Sequence, residues 1–160
     1  MRTLKITIAV TFLAALLAAQ PPAMKTFASS SDVAAMIAKA KAERKPDQPT
    51  FAQPILQLAP YTASLEYRAA VGPAALHETE AEMFYVIDGS ATLVTGGKLV
   101  NEKRTNAENL SGTAIEGGSP RPVAKGDFII VPEKTPHWFS AINGTIVLMS
   151  FHAPRPVPAH

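Results

Sequence analysis

The chain has 160 residues, 47% of them hydrophobic and 18% charged, which is enough for one domain with a real core and too little for two. Its formal net charge of +2 makes no case for nucleic acid, because Arg2 and Lys5 sit in an N-terminal targeting segment; without them Lys+Arg falls from 15 to 13, against 13 Asp+Glu. There is no cysteine, so disulfides, thiolate catalysis and Cys-ligated zinc are excluded, and any metal must be held by nitrogen and oxygen.

Along the chain, Met1 to Lys5 is short and basic, Ile6 to Ala19 is an uncharged apolar run, and Gln20-Pro21-Pro22 breaks a continuing helix. The run is shorter than the ~20 residues that span a bilayer, so residues 1–19 are expected to be a signal peptide rather than a membrane anchor. Export to the periplasm or the exterior follows, with no stable membrane anchoring once the peptide is removed. Residues 20–54 are expected to hold one helix and a linker. Ser30-Ser31-Asp32 offers N-cap side chains to a helix over Asp32 to Arg44, and Val33, Met36, Ile37 and Ala40 fall on one face of it. That stripe suits packing on the domain; a partner-binding helix is the other use of such a pattern. Lys45-Pro46-Asp47-Gln48-Pro49 ends the helix.

From residue 55 to 153 the sequence reads as β. Candidate strands are Ile55–Leu58, Ala63–Ala70, Met83–Ile87, Ala91–Val94, Leu99–Val100, Thr113–Glu116, Pro122–Val123, Phe128–Val131 and Ile146–Phe151. Glycine turns separate them, among them Asp88-Gly89 and Asn143-Gly144. Many short strands at close spacing predict an all-β sandwich or barrel. Asn101 to Ser111 is polar and unpatterned, a surface loop able to lean over a barrel mouth. Pro154, Pro156 and Pro158 make residues 154–160 a proline-rich tail.

Two blocks carry chemistry: HETEAEMFYVIDG, from His77 to Gly89, and GDFIIVPEKTPHW, from Gly126 to Trp138. Alternation puts Glu82, Phe84 and Val86 on one strand face, and Met83, Tyr85 and Ile87 on the other. A carboxylate on a mostly apolar face costs free energy unless it is paired or holds a cation. His77, Glu82 and His137 form the donor set of an open 2-His-1-carboxylate site, suited to a divalent transition metal such as Mn, Fe, Ni or Zn. A type I′ turn at Asn143-Gly144 sets His137 opposite Ser150 and Thr135 opposite His152, so that His137, Ser150 and His152 share a face.

The two blocks resemble the paired motifs of the cupin superfamily. Glu82, six residues and Gly89 match the first motif, with His77 at the place of its second histidine. Gly126, Pro132 and His137 match the second motif at its intervals. The resemblance, over roughly residues 55 to 152, implies a small double-stranded β-helix barrel, jelly-roll-like, with a metal in its mouth. It departs at Ala75, where the first motif has its first histidine, at Lys134, where the second has glycine, and at Ala141, often asparagine in the family. His152 is then a candidate general base, or a replacement for the missing imidazole. The family implies dioxygenase, lyase, decarboxylase or isomerase chemistry on a small organic molecule, and a homodimer is a further expectation from the resemblance. In that reading Phe84, Trp138 or Phe139 lines the pocket. The competing expectations are a non-catalytic module that binds a small ligand and a purely structural barrel whose site is degenerate.

Overall fold

The computed structural model describes residues 24–155, so the segment expected to be a signal peptide and the last five residues of the tail lie outside it. The helix α1 (Ser30–Glu43) begins two residues earlier than expected. Ser29, rather than Ser30 to Asp32, is its N-cap, because Ser29 and Asp32 form a reciprocal capping box: the Asp32 amide donates to Ser29 Oγ and the Ser29 amide to Asp32 Oδ2. Val33, Met36, Ile37 and Ala40 of α1 pack on Leu65, Tyr67 and Val147, so the apolar stripe is a packing face.

Among the described residues all other regular structure is β: β1 (Thr50–Leu58), β2 (Tyr61–Arg68), β3 (Ala74–His77), β4 (Glu80–Thr95), β5 (Lys98–Val100), β6 (Lys103–Arg104), β7 (Asn109–Gly112), β8 (Ala114–Glu116), β9 (Ser119–Ala124), β10 (Phe128–Val131) and β11 (His137–Pro154). One nine-stranded antiparallel sheet holds most of them, in the order β1-β2-β11-β3-β7-β6, with β4 joining β11, β9 and β10. Two fold-forming readings of the sequence are corrected here. Asp88-Gly89 and Asn143-Gly144 close no hairpins: β4 and β11 each run straight through them and pair with one another along almost their whole length.

The reason is a large bulge where the two glycine pairs meet. Ile142 stands opposite Ala91 and Ile146 opposite Gly89, so Asn143, Gly144 and Thr145 face Ser90 alone. Gly89 has φ +83°, and a Cβ there would collide with the Thr145 carbonyl oxygen. The glycines therefore bend one long ribbon rather than reverse two short ones, and the bend lets β4 and β11 serve both ends of the barrel. Asn143 Nδ2 donates to Ser90 Oγ at 3.0 Å across the bulge.

The Asn101–Ser111 segment is likewise no loose loop. It folds into β6 and the start of β7, and β7 pairs with β3, setting His77 against Asn109. Neither β3 nor these two was readable from periodicity, because β3 is only four residues long and β6 and β7 are largely polar; pairing creates them.

The expected alternation in β4 holds: Glu82, Phe84, Val86, Ala91 and Leu93 are buried, and Tyr85 and Asp88 are exposed. With Phe139, Ile146, Leu148, Val123 and Val131 the apolar members form the barrel core. Phe84 meets Phe139 edge-on at 5.4 Å, the favoured geometry for two aromatic quadrupoles.

Candidate metal centre

Three strands deliver the expected donors to one end of this core. His77 is the last residue of β3, Glu82 the third of β4, and His137 the first of β11. The far end of β11 returns to the same place, where Ser150 and His152 pair in register with Phe84 and Glu82 of β4. His137, Ser150 and His152 thus converge as expected, by the return of a bent ribbon and not by a hairpin. Ala75 is the register partner of His137. Its methyl leaves a gap in the family's donor pattern, and His152 comes to Glu82 from the opposite strand.

Glu82 is the hub, with a side chain only 5% exposed. Its Oε2 lies 2.9 Å from His137 Nε2 and 3.1 Å from His77 Nε2; its Oε1 accepts from Ser150 Oγ at 2.5 Å and lies 3.5 Å from His152 Nε2. Each imidazole has its other nitrogen engaged outward. His77 Nδ1 donates to Asn109 Oδ1 at 2.7 Å, His137 Nδ1 to the Thr135 carbonyl at 3.3 Å, and His152 Nδ1 to Glu80 Oε1 at 2.7 Å. An Nδ1–H fixed in this way leaves Nε2 free to be a donor atom, and all three Nε2 atoms point at one carboxylate.

Such convergence calls for a cation. Nitrogen lone pairs at about 3 Å from a carboxylate oxygen repel it unless a proton or a metal ion lies between. The ~2.0–2.2 Å bonds of a first-row metal to nitrogen and oxygen set neighbouring donors about 3 Å apart, the spacing at which Glu82 meets His77 and His137. Among the described residues, His77, Glu82 and His152 offer ligand atoms all within 4.8 Å of one another. His137 Nε2 lies 2.9 Å from Glu82 Oε2 but falls outside that set of three. His77, Glu82 and His152 fit a divalent metal, with His137 beside them on Glu82.

Without a metal, protons take that place. Burial pushes the Glu82 carboxyl up, but the hydrogen bonds from His137 and His77 and the charge of the imidazoles outweigh it and hold Glu82 well below the usual carboxylate range. Burial likewise pushes His77 down, and the bonds to Glu82 and Asn109 with the charge of Glu82 and Glu80 bring it above its ordinary value.

Some functional residues were not visible in the sequence. Asn109 carries no signal until the pairing of β3 with β7 is known. Glu80 could have been found, since it lies two residues before Glu82 on the same strand face. Ser150 was placed correctly but given no role. Of the expected pocket-lining aromatics, Phe84 lies 6.0 Å from the His137 ring and Phe139 backs it, whereas Trp138 turns away to donate to the Gly72 carbonyl. Lys134, at the place of a motif glycine, has φ +61°, the left-handed region glycine favours, and its amide donates to the His77 carbonyl at 2.6 Å. The glycine-type turn survives without the glycine.

No family model and no curated protein sequence matches the chain. Solved structures do. KdgF from Halomonas sp. is 16% identical, with a TM-score of 0.51 over 71% of this chain and 86% of that one. FeII HppE is 15% identical, with a TM-score of 0.51 over 66% of this chain and 52% of that one, so the likeness spans about half of that protein. From its strand order, its paired motifs and these likenesses, the chain has the cupin fold.

Proposed function

We propose that this protein is a metal-binding cupin that transforms a small organic molecule, with a divalent ion held by His77, Glu82 and His137 and faced by His152. One observation carries the reading: three imidazoles present Nε2 to a single buried carboxylate while Asn109, Thr135 and Glu80 hold each Nδ1. When bound, the ion supplies Lewis acidity, and if it is iron also chemistry with dioxygen, within the dioxygenase, lyase, decarboxylase or isomerase classes. Iron is the first metal to test, because one structural neighbour is named as a ferrous protein.

The chain's own residues supply the rest. Ser150 orients the Glu82 carboxylate, and Phe84 excludes water from behind His137. His152 is the most open of the three histidines, with a side chain 24% exposed, so a substrate can reach it as a proton acceptor oriented by Glu80.

The test is metal content by mass spectrometry of the purified chain beside a His77→Ala/His137→Ala double variant. Near-stoichiometric metal that disappears in the variant supports the reading. No metal in either, even after incubation with Mn, Fe, Ni or Zn, sinks it. A His152→Ala variant then assigns that residue: loss of metal makes it a ligand, while metal kept with turnover lost makes it the base. Metal retained with no turnover of any small acid or sugar tested would leave a binding module.

A further inference from the structure

Strand β2 turns its two faces to different surroundings. Ala63, Leu65 and Tyr67 are buried on its outer face, the last two beneath α1. The alternate residues Thr62, Ser64, Glu66 and Arg68 face inward, because their register partners on β11 are His152, Ser150, Leu148 and Ile146, which belong to the metal centre and the barrel core. All four are polar, and none is buried: Thr62 is exposed, and the Glu66 and Arg68 side chains are 14% and 17% exposed. With the outer face sealed, that exposure comes from inside the barrel. The neighbouring β1 agrees. Its Gln53 is tied to the Met36 carbonyl of α1 on the outer face, while Ala52 and Pro54, the partners of Glu66 and Ser64, are exposed. The inner face of β1 and β2 is therefore the floor of an open cleft that starts at His152.

The polar groups of this floor are only half satisfied. Arg68 gives both Nε and Nη2 to one oxygen of Glu66, Oε2, at 2.8 and 2.6 Å, and its guanidinium lies 4.7 Å over the Phe139 ring. Among the described residues, Glu66 Oε1, Arg68 Nη1 and the hydroxyls of Thr62 and Ser64 have no hydrogen-bond partner. Every fully buried side-chain polar atom there does have one, so these groups are held open to water or to a ligand.

We propose that this floor is the substrate wall of the metal centre and that it takes a polyhydroxylated small molecule, a sugar or polyol, with Glu66 and Arg68 as specificity-determining residues. The proposal deepens the metalloenzyme reading and rests on it for the reaction, though not for the binding. The donor and acceptor inventory chooses the class. The unused acceptor and the unused donor belong to one ion pair, so they suit neighbouring hydroxyls, one giving its O–H to Glu66 Oε1 and the next accepting from Arg68 Nη1. A carboxylate has only acceptors and meets the charge of Glu66. A hydrocarbon strips both groups of water and returns no hydrogen bond. Ser64 stands one inward step from Glu66, roughly 7 Å along the strand, so a short hydroxylated chain reaches both. Ser64 is also the partner of Ser150, which donates to Glu82 Oε1 at 2.5 Å, and this sets the near end of the chain beside the metal centre. Phe139 holds the guanidinium plane from behind, so that Arg68 keeps its orientation when the cleft empties.

The experiment is an amide NMR titration of the full chain, as purified and after chelation, with tetroses, pentoses, hexoses and their alditols. Succinate, glutarate and adipate serve as the unhydroxylated contrast. The expected result is that at least one sugar or alditol shifts the amides from Thr62 to Arg68 and binds at least tenfold tighter than any of the three acids. Glu66→Gln should weaken that binding at least tenfold. Ser64→Ala, which leaves the ion pair alone, should weaken it about threefold or more, as befits one hydrogen bond, and is the second probe should the first variant fail to fold. A panel of sugars and alditols that leaves these amides unmoved overturns the proposal. Binding of the acids alone also overturns it and gives the wall to anions. So does a Glu66→Gln protein that melts lower yet binds as before, since the ion pair is then only structural. Metal content plays no part in this readout. A chain that holds no metal but binds a polyol here fails only the metalloenzyme reading, and one that holds metal but binds none fails only this one.

Discussion

On the inward face of β4, Glu82 is a carboxylate almost sealed from water; on its outward face, Met83 and Tyr85 are apolar groups that water reaches. Each face breaks the ordinary rule of burial, in opposite directions. The inward exception is accounted for locally: His77, His137, Ser150 and His152 surround the carboxylate, and no buried side-chain polar atom among the described residues lacks a partner. The outward exception has no partner within the described chain. A buried charge can be answered by side chains from neighbouring strands, whereas an exposed apolar sheet needs a whole surface.

The sharpest way to separate the faces is to cut one large side chain from each. Phe84→Ala should cost about 3–5 kcal/mol in denaturant unfolding, since it opens a cavity beneath His137. Tyr85→Ala, one residue on, should cost under about 1 kcal/mol in dilute protein, because it removes little that is buried. Equal losses would mean that β4 is not oriented as described.

A smaller effect tests the support of the inner site. Asn109→Ala should leave the fold intact and weaken metal binding by about 10–100-fold in competition titrations, because His77 then loses the acceptor that fixes its tautomer. Asn109→Asp, which keeps an acceptor, should recover much of it. Unchanged affinity in the alanine variant would remove Asn109 from the site.

The charges of the inner face also predict a pH profile. Glu82 titrates lower folded than unfolded, so its contribution is complete above its ordinary value of 4.5 and is lost as pH falls through the depressed one. His77 titrates higher folded, so its contribution is complete below its ordinary 6.5 and is lost as pH rises through the raised value. Metal-free protein should therefore melt highest between these two values, by calorimetry. Added metal should abolish the alkaline decline, since the ion takes the place of the proton on His77. A melting temperature that climbs steadily from 6.5 to 8 without metal would contradict this account.

The least effect is expected at the departure from the family's second motif. Lys134 sits in the left-handed region, which costs a non-glycine residue about 1 kcal/mol or more, partly offset by the larger unfolded-state entropy of glycine. Lys134→Gly should leave thermal stability unchanged or raise it by up to about 1 kcal/mol, with metal binding unaffected.

Legibility in the sequence followed the range of the interactions. The helix and its packing stripe, the alternation of β4, and the histidines and glutamate at motif spacing could all be read, because each rests on neighbours a few residues apart. The two glycine pairs misled, because Asp88-Gly89 and Asn143-Gly144 carry the same local preference for positive φ whether they turn a hairpin or bend a ribbon. What chooses is the long-range pairing of β4 with β11.

The sequence by itself determined that this chain is β-rich with nitrogen and oxygen donors in two blocks, since composition and periodicity act residue by residue. Only the tertiary structure decided that His152 enters the site from the returning end of β11, that Asn109 and Glu80 set the imidazole tautomers, and that Phe128 and Ile130 are left uncovered. Each of these depends on which strands lie side by side, and that is a sum over contacts such as those 32 and 72 residues apart, which no local stretch encodes.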